Sequence, residues 1–144
     1  QVMSAGTGIY HSEFNLENEE TNIYQIWIKP KTVGIEPEWN MAEFPKEPVE
    51  DSLQLLVSGD KTAPLNINQD ARIYAGRLNK GIKVKHNVIG KAYVLISEGN
   101  IDVNGNKTEK GDGLSISDET SLEFEALNDA ELLIIEVPGK ENAR

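Results

Sequence analysis

The sequence predicts an all-β protein, built as a sandwich or barrel of the jelly-roll type. Short runs rich in β-branched and aromatic residues recur along the chain, and several alternate between apolar and polar residues. Turns rich in glycine and asparagine separate these runs. Many short strands at this spacing are typical of barrels and two-layered β architectures. Two prolines, Pro45 and Pro48, allow one short helical turn at most over residues 43–56.

The first predicted strand covers residues 23–28, Ile-Tyr-Gln-Ile-Trp-Ile, and ends just before Pro30. Apolar residues occur on both of its faces, so we expect it to be covered on both sides. Further strands are predicted over residues 53–57, 71–78, 82–89, 92–97, 101–104, 114–117, 122–127 and 132–137.

Alternation indicates which side chains of these strands point inward. In the strand at 82–89, Ile82, Val84 and Val88 share one face, and polar residues occupy the other. The strand at 122–127 alternates in the same way. The dipeptide at 104–105, Asn-Gly, predicts a two-residue hairpin, because both turn positions need a positive φ.

Composition excludes several classes of function. The 144 residues include no cysteine, which removes disulfides, thiolate catalysis and zinc fingers. No apolar run approaches the roughly 20 residues that a membrane helix needs, so we expect no membrane role and a cytoplasmic protein. The formal net charge is −10, which argues against direct contact with nucleic-acid phosphates.

The charge is unevenly distributed along the chain. Residues 1–60 carry 11 acids and 3 bases, a net of −8, and most of the prolines also lie there. A composition change of this kind near Asp51 predicts a boundary between residues 1–50 and residues 51–144.

His11 and Glu13 are the first candidates for chemistry. In an extended segment they would project from one face with their α-carbons about 6–7 Å apart, so that both could reach one ion. Mixed nitrogen and oxygen ligation suits non-haem iron, nickel or manganese. Such centres usually take three or more protein ligands, so the spacing alone leaves open a metal site and ordinary surface residues. The nearby residues 6–8, Gly-Thr-Gly, lack the helix and third glycine of a phosphate-binding loop.

His86 is the other histidine of the chain, and it lies in phase with the inward residues of its strand. It could serve as a ligand-binding group or catalytic base inside the barrel, or it could be a hydrogen-bonded core histidine. No second histidine or carboxylate is evident in phase nearby, which favours the core interpretation.

Residues 2–13, Val-Met-Ser-Ala-Gly-Thr-Gly-Ile-Tyr-His-Ser-Glu, resemble the signature of the pirin family, a branch of the cupins. Residues 24–30, followed by Gly34, Pro37, Trp39 and Phe44, are similar to the family's next conserved stretch. Residues 99–105 and 112–116 resemble the second barrel of bacterial pirin-like proteins. The resemblance covers nearly the whole chain.

This resemblance implies a bicupin, in which residues 51–144 form the C-terminal cupin barrel and residues 1–50 are part of an N-terminal cupin barrel. It also implies one divalent metal in the N-terminal barrel, iron first and nickel, copper, manganese or zinc as alternatives, bound by three histidines and one glutamate. Two of those ligands would be His11 and Glu13. The other two would come from an earlier His-Pro-His motif, which this sequence lacks.

Because the chain begins at Gln1 and lacks that motif, we expect it to be truncated or proteolysed. A chain with two of four ligands is expected to hold no metal tightly and to be inactive alone. Exposed strands of residues 1–50 would also favour dimerisation.

The resemblance implies two alternative functions for the parent protein. One is a quercetin 2,3-dioxygenase that opens a flavonol ring with O₂, with His11 as an imidazole ligand and Glu13 as a carboxylate ligand that also takes the substrate hydroxyl proton. The other is a non-enzymatic, metal-bearing module that binds proteins, as a transcription cofactor or a regulator of metabolic enzymes. The acidic first segment suits protein contacts better than DNA contacts.

Overall fold

The computed structural model describes residues 1–139, and this range contains strands, turns and irregular segments but no helix. The all-β prediction is therefore confirmed. Within the described range, no helix could cross a membrane. The strands are β1 (Val2–Ser4), β2 (Glu38–Asn40), β3 (Gln54–Ser58), β4 (Leu65–Asn66), β5 (Arg72–Leu78), β6 (Lys83–Asn87), β7 (Lys91–Glu98), β8 (Asn100–Val103), β9 (Asn106–Glu109), β10 (Gly113–Ile116), β11 (Ser121–Ala126) and β12 (Ala130–Val137).

Two large sheets carry the fold. One has six strands in the order β10-β7-β12-β5-β3-β4, and the other has four in the order β6-β11-β8-β9. Each sheet is hydrogen-bonded separately, and a shared apolar core lies between them, as in a jelly roll. Its most deeply buried large side chains include Phe124, Ile96, Ile101, Leu132 and Ile134.

Every strand predicted from residue 53 onward is present, with ends shifted by a few residues. The alternation in β6 and β11 is confirmed, because Val84, Leu122 and Phe124 are buried while the lysines of β6 are exposed. The predicted hairpin is also confirmed, since Asn104 and Gly105 have φ values of 49° and 84° and connect β8 to β9. The very short strands β1, β2 and β4 were not predicted.

The strand predicted over residues 23–28 is wrong. This segment forms no strand, and Ile23, Tyr24 and Trp27 are exposed rather than covered on both sides. A strand needs a neighbour to accept and donate its backbone hydrogen bonds. No strand among residues 1–139 pairs with this segment, so its high β propensity is not realised.

The first 50 residues are attached to the outer face of the six-stranded sheet. Apolar side chains from the segment pack against Val57, Leu65 and Ile73 of that face. Polar contacts join the same two parts, because Lys31 Nζ lies 2.7 Å from Asp70 Oδ2. The side chains that the first segment contributes to this packing are Val2, Ile28, Ala42 and Phe44.

A buried histidine and glutamate link the two large sheets across the core. His86 comes from the four-stranded sheet and Glu136 from the six-stranded sheet, and His86 Nε2 lies 3.0 Å from Glu136 Oε1. The backbone N–H of Ile89 donates to the same oxygen at 3.3 Å, and the Tyr74 ring packs edge-on against the imidazole. The inward orientation predicted for His86 is confirmed. The core interpretation agrees with this buried hydrogen bond, but its partner is a carboxylate that the local pattern did not reveal, because the crossing of the sheets brings Glu136 to His86 from 50 positions away.

Among the described residues, the carboxylate of Glu136 has hydrogen bonds only with His86 and the N–H of Ile89. Only 2% of the residue is exposed, and its Oε2 has no hydrogen-bond partner among the described residues. Arg72 lies opposite Glu136 in the register of β5 and β12, but its guanidinium donates to Asp60 Oδ2 at 2.8 Å. The Thr62 hydroxyl and the Arg72 guanidinium hold the pKa of Asp60 well below its usual range. Arg72 is therefore committed to another carboxylate.

We expect that replacing Glu136 with alanine lowers the free energy of unfolding by about 3 kcal/mol, because a buried polar partner is lost and a cavity forms. In a double-mutant cycle with His86→Ala, the coupling should be about 1.5–3 kcal/mol, measured by urea unfolding. The exposed pair Lys83–Glu125, at 2.9 Å, is the matched control and should couple by less than about 0.5 kcal/mol. Equal coupling in the two pairs would contradict a special role for the buried one.

A second prediction concerns Gly99, which has a φ of 72° and lies against the backbone of the turn before β12. A Cβ at this position would lie 2.2 Å from the carbonyl oxygen of Asp129, whereas a Cβ at Gly105 would meet open space. Gly105→Ala should cost about 1–2 kcal/mol for the positive φ alone. Gly99→Ala should cost at least about 1 kcal/mol more in urea unfolding because of the clash. Equal losses would contradict the close approach.

Candidate functional site

A tight turn follows β1 and lies against the backbone at Ile35. The N–H of Gly8 donates to the carbonyl of Ala5 at 2.7 Å, and the N–H of Thr7 donates to the carbonyl of Ile35 at 3.0 Å. Gly6 has a φ of 54°, and a Cβ there would lie 2.1 Å from the Ile35 oxygen. The glycines of this motif therefore serve a close backbone approach, which agrees with the rejection of a phosphate-binding loop.

Glu13 is held by a residue that sequence analysis did not single out. The side-chain amide of Gln1 donates from Nε2 to Glu13 Oε1 at 2.7 Å, although twelve positions separate the two residues. Gln1 Oε1 in turn accepts a hydrogen bond from Trp39 Nε1 at 3.2 Å. The only sequence signal was that Gln1 directly precedes the family-like motif at residues 2–13 and that Trp39 belongs to the next family-like stretch.

His11 has no comparable support. Its ring makes no hydrogen bond or ion pair within residues 1–139, and the residue is exposed. Neither His11 nor Glu13 lies in a strand, so the prediction that they share one strand face does not apply to this structure. Both do lie on one exposed segment next to the β1–β2 pair.

His11 and Glu13 offer the ligand types of a mixed nitrogen and oxygen metal site, but two ligands are fewer than such a site needs. An imidazole and a carboxylate are suitable ligands for a divalent transition metal. No group of three or more histidine, aspartate or glutamate side chains in the described part of the chain could hold a metal ion. His11 and Glu13 alone therefore do not fit a complete metal centre. The other histidine, His86, is occupied by Glu136 in the core.

A run of exposed apolar side chains flanks the candidate residues in the sequence. We call it the apolar strip. Tyr10 and Trp27 are essentially fully exposed, which is unusual for such large side chains. Acidic residues lie between them in the sequence. The apolar strip consists of Tyr10, Phe14, Leu16, Ile23, Tyr24 and Trp27.

Two depressions mark the surface elsewhere. One, of about 530 Å³, lies beside Lys91 and the loop at 117–120. The other, of about 270 Å³, lies where residues 31–38 meet the loop at 66–70. Neither is lined by His11 or Glu13, so the candidate residues lie on open surface rather than in a closed pocket.

Comparison with known proteins gives the family of this chain. Residues 55–137 match the family model of the quercetinase C-terminal cupin domain. A pirin-like protein of Caulobacter vibrioides is 40% identical over 141 residues, which are 94% of this chain and 60% of the relative. The quercetin 2,3-dioxygenase of Escherichia coli K12 is 36% identical over 142 residues, which are 96% of this chain and 60% of the relative. The chain thus spans about three fifths of the length of these curated relatives.

Solved structures agree with this result. The crystal structure of YhhW from Escherichia coli superposes with a TM-score of 0.71 and 30% identity, covering 78% of this chain and 48% of YhhW. The nickel(II) complex of the same bacterial pirin gives a TM-score of 0.68 and 28% identity, covering 76% of this chain and 48% of that protein. With its jelly-roll fold, its His-Ser-Glu segment and these relatives, the chain belongs to the pirin family of cupin proteins.

Proposed function

We propose that this chain is part of a metal-dependent dioxygenase of the quercetinase type, which opens a flavonol ring with O₂. The observation that carries the proposal is the anchored carboxylate of Glu13, two residues from the exposed imidazole of His11. The relative named quercetin 2,3-dioxygenase supports the reaction, and the nickel(II) complex of bacterial pirin YhhW supports a divalent metal.

In this proposal, His11 supplies an imidazole ligand and Glu13 a carboxylate ligand. Glu13 would also take the proton of the substrate hydroxyl on one carboxylate oxygen while the other oxygen would hold the metal, and Gln1 would keep its hydrogen bond to one lone pair of Oε1. The metal is iron, with nickel as the next candidate. Its remaining ligands are the histidines of a His-Pro-His segment in a longer chain, since residues 1–139 do not complete the set.

The two parts of the chain take different roles. Residues 1–50 belong to the metal-bearing N-terminal barrel and present the apolar strip, whose aromatic rings suit a flat aromatic substrate. Residues 51–144, of which 140–144 lie outside the described residues, form the C-terminal barrel that supports the first part from its outer sheet face. The proposed location is the cytoplasm.

A second candidate function is protein binding without catalysis. The apolar strip is exposed, and it lies in the part of the chain that carries −8 of the net charge. Exposed aromatic groups among acids suit a partner surface with both apolar and basic residues. A second copy of this chain is the alternative occupant, through the same exposed segment.

The enzymatic proposal predicts oxygen uptake with quercetin. The protein to test extends upstream of Gln1 to include a His-Pro-His segment and is loaded with Fe(II) or Ni(II). His11→Gln and Glu13→Gln should each lower kcat/KM by at least about 100-fold, because each removes a ligand rather than an outer-shell group. Glu17→Gln removes a nearby exposed carboxylate that makes no hydrogen bond or ion pair within residues 1–139, and it should leave the rate unchanged. Stoichiometric metal without oxygen uptake would favour the protein-binding function.

The 144-residue chain by itself should bind metal weakly. With two of the proposed ligands, its dissociation constant for Ni²⁺ should be at least about 100-fold higher than that of the extended chain, measured by calorimetry. Tight, stoichiometric metal in the 144-residue chain would contradict the shared site. Light scattering on that metal-bound sample would then show whether two copies combine their His11 and Glu13 residues.

A further inference from the structure

Two consecutive hydrogen bonds connect Trp39 to Gln1 and Gln1 to Glu13, and we call them the hydrogen-bond row. Trp39 Nε1 donates to Gln1 Oε1 at 3.2 Å, and Gln1 Nε2 donates to Glu13 Oε1 at 2.7 Å. An indole nitrogen can only donate and an ionised carboxylate can only accept. The amide of Gln1 is therefore oriented in one way, with its oxygen toward Trp39 and its nitrogen toward Glu13.

The backbone of the β1–β2 pair supports this row. Met3 lies opposite Trp39 in the antiparallel register, and side chains alternate between the faces of a strand. Gln1, two residues before Met3, therefore lies on the same face as Trp39. Diagonal neighbours of this kind are about 7–8 Å apart at the backbone, a separation that long side chains bridge.

We infer that Gln1 is a positioning residue for Glu13, and that Trp39 positions Gln1. A free glutamate side chain samples many rotamers, and a partner anchored on a strand pair restricts them. The hydrogen bond from Gln1 engages one lone pair of Oε1 and so fixes how the two carboxylate oxygens face a ligand or a substrate proton. The consequence for chemistry rests on the proposed function, whereas the hydrogen bonds themselves need neither metal nor substrate.

The first test uses nuclear magnetic resonance of the metal-free 144-residue chain. Trp27 and Trp39 are its two tryptophans, so each indole N–H gives one signal and Trp27 serves as the internal control. Gln1→Leu should shift the Trp39 indole signal and speed its exchange with water about five- to tenfold, the factor expected for the loss of one ordinary hydrogen bond. It should also shift the carboxyl carbon of Glu13, which is assigned from Glu13→Gln. Unchanged signals for both groups would overturn the inference.

The second test uses Ni²⁺ alone as the probe. Binding is followed by paramagnetic broadening of the His11 ring signals, with the buried His86 as reference. Gln1→Leu should weaken binding about 10-fold or more, as the loss of an outer-shell partner does, and Trp39→Phe should weaken it less. Tyr93→Phe, at an exposed aromatic residue of β7 that lies outside the apolar strip, is the control and should bind like the unaltered chain.

The results of these tests distinguish the positioning role of Gln1 from the proposed function. Ni²⁺ binding that is equal in the unaltered chain and in Gln1→Leu would overturn the positioning role. No broadening of His11 even in the extended, His-Pro-His-containing chain would instead contradict the proposed function, and the metal-free signals would still decide the hydrogen-bond row. A shifted Trp39 indole and Glu13 carboxyl in Gln1→Leu, together with weaker Ni²⁺ binding, would support the inference.

Discussion

Apolar contact between the six-stranded and four-stranded sheets is the interaction on which the rest of the molecule depends. Phe124 and its neighbours fill the space between the sheets, and burial of apolar surface is the main favourable contribution to folding. Within this core, His86 and Glu136 form a buried polar connection across the sheets, and the N–H of Ile89 donates to the same carboxylate. Because Glu136 is buried with one oxygen unpaired, the sheets must pack closely enough to keep His86 in contact with it.

The outer face of the six-stranded sheet has a second role, because it organises the first 50 residues. No strand of this segment pairs with a strand of the two large sheets. The segment takes its position from apolar contacts with Val57, Leu65 and Ile73 and from backbone hydrogen bonds such as that from Lys31 to Asn68. The pair β1–β2 then gives the segment its one regular element and places Gln1 and Trp39 on one face. The candidate site thus depends on a sheet to which it does not itself belong.

This arrangement explains why His11 and Glu13 differ. Glu13 is tied through Gln1 to the β1–β2 pair, whereas the exposed His11 ring makes no hydrogen bond or ion pair within residues 1–139. The same segment presents the apolar strip, where β propensity is high and backbone pairing is absent. Exposed aromatic side chains and an anchored carboxylate in one segment are consistent with a surface that is completed by further contacts.

Local patterns in the sequence determined much of this protein. Alternation, turn dipeptides and short-range spacing predicted the strands from residue 53 onward, the hairpin at Asn104 and the inward side chain of His86, because each depends on residues close together in the chain. The His-Ser-Glu segment predicted the family. Only the tertiary structure decided the partner of His86, the anchor of Glu13 and the irregular course of residues 23–28. Glu136 lies 50 positions from His86, and Gln1 lies 12 from Glu13. Such contacts follow from which strands find partners and how the sheets cross, and these depend on the whole chain rather than on any local pattern.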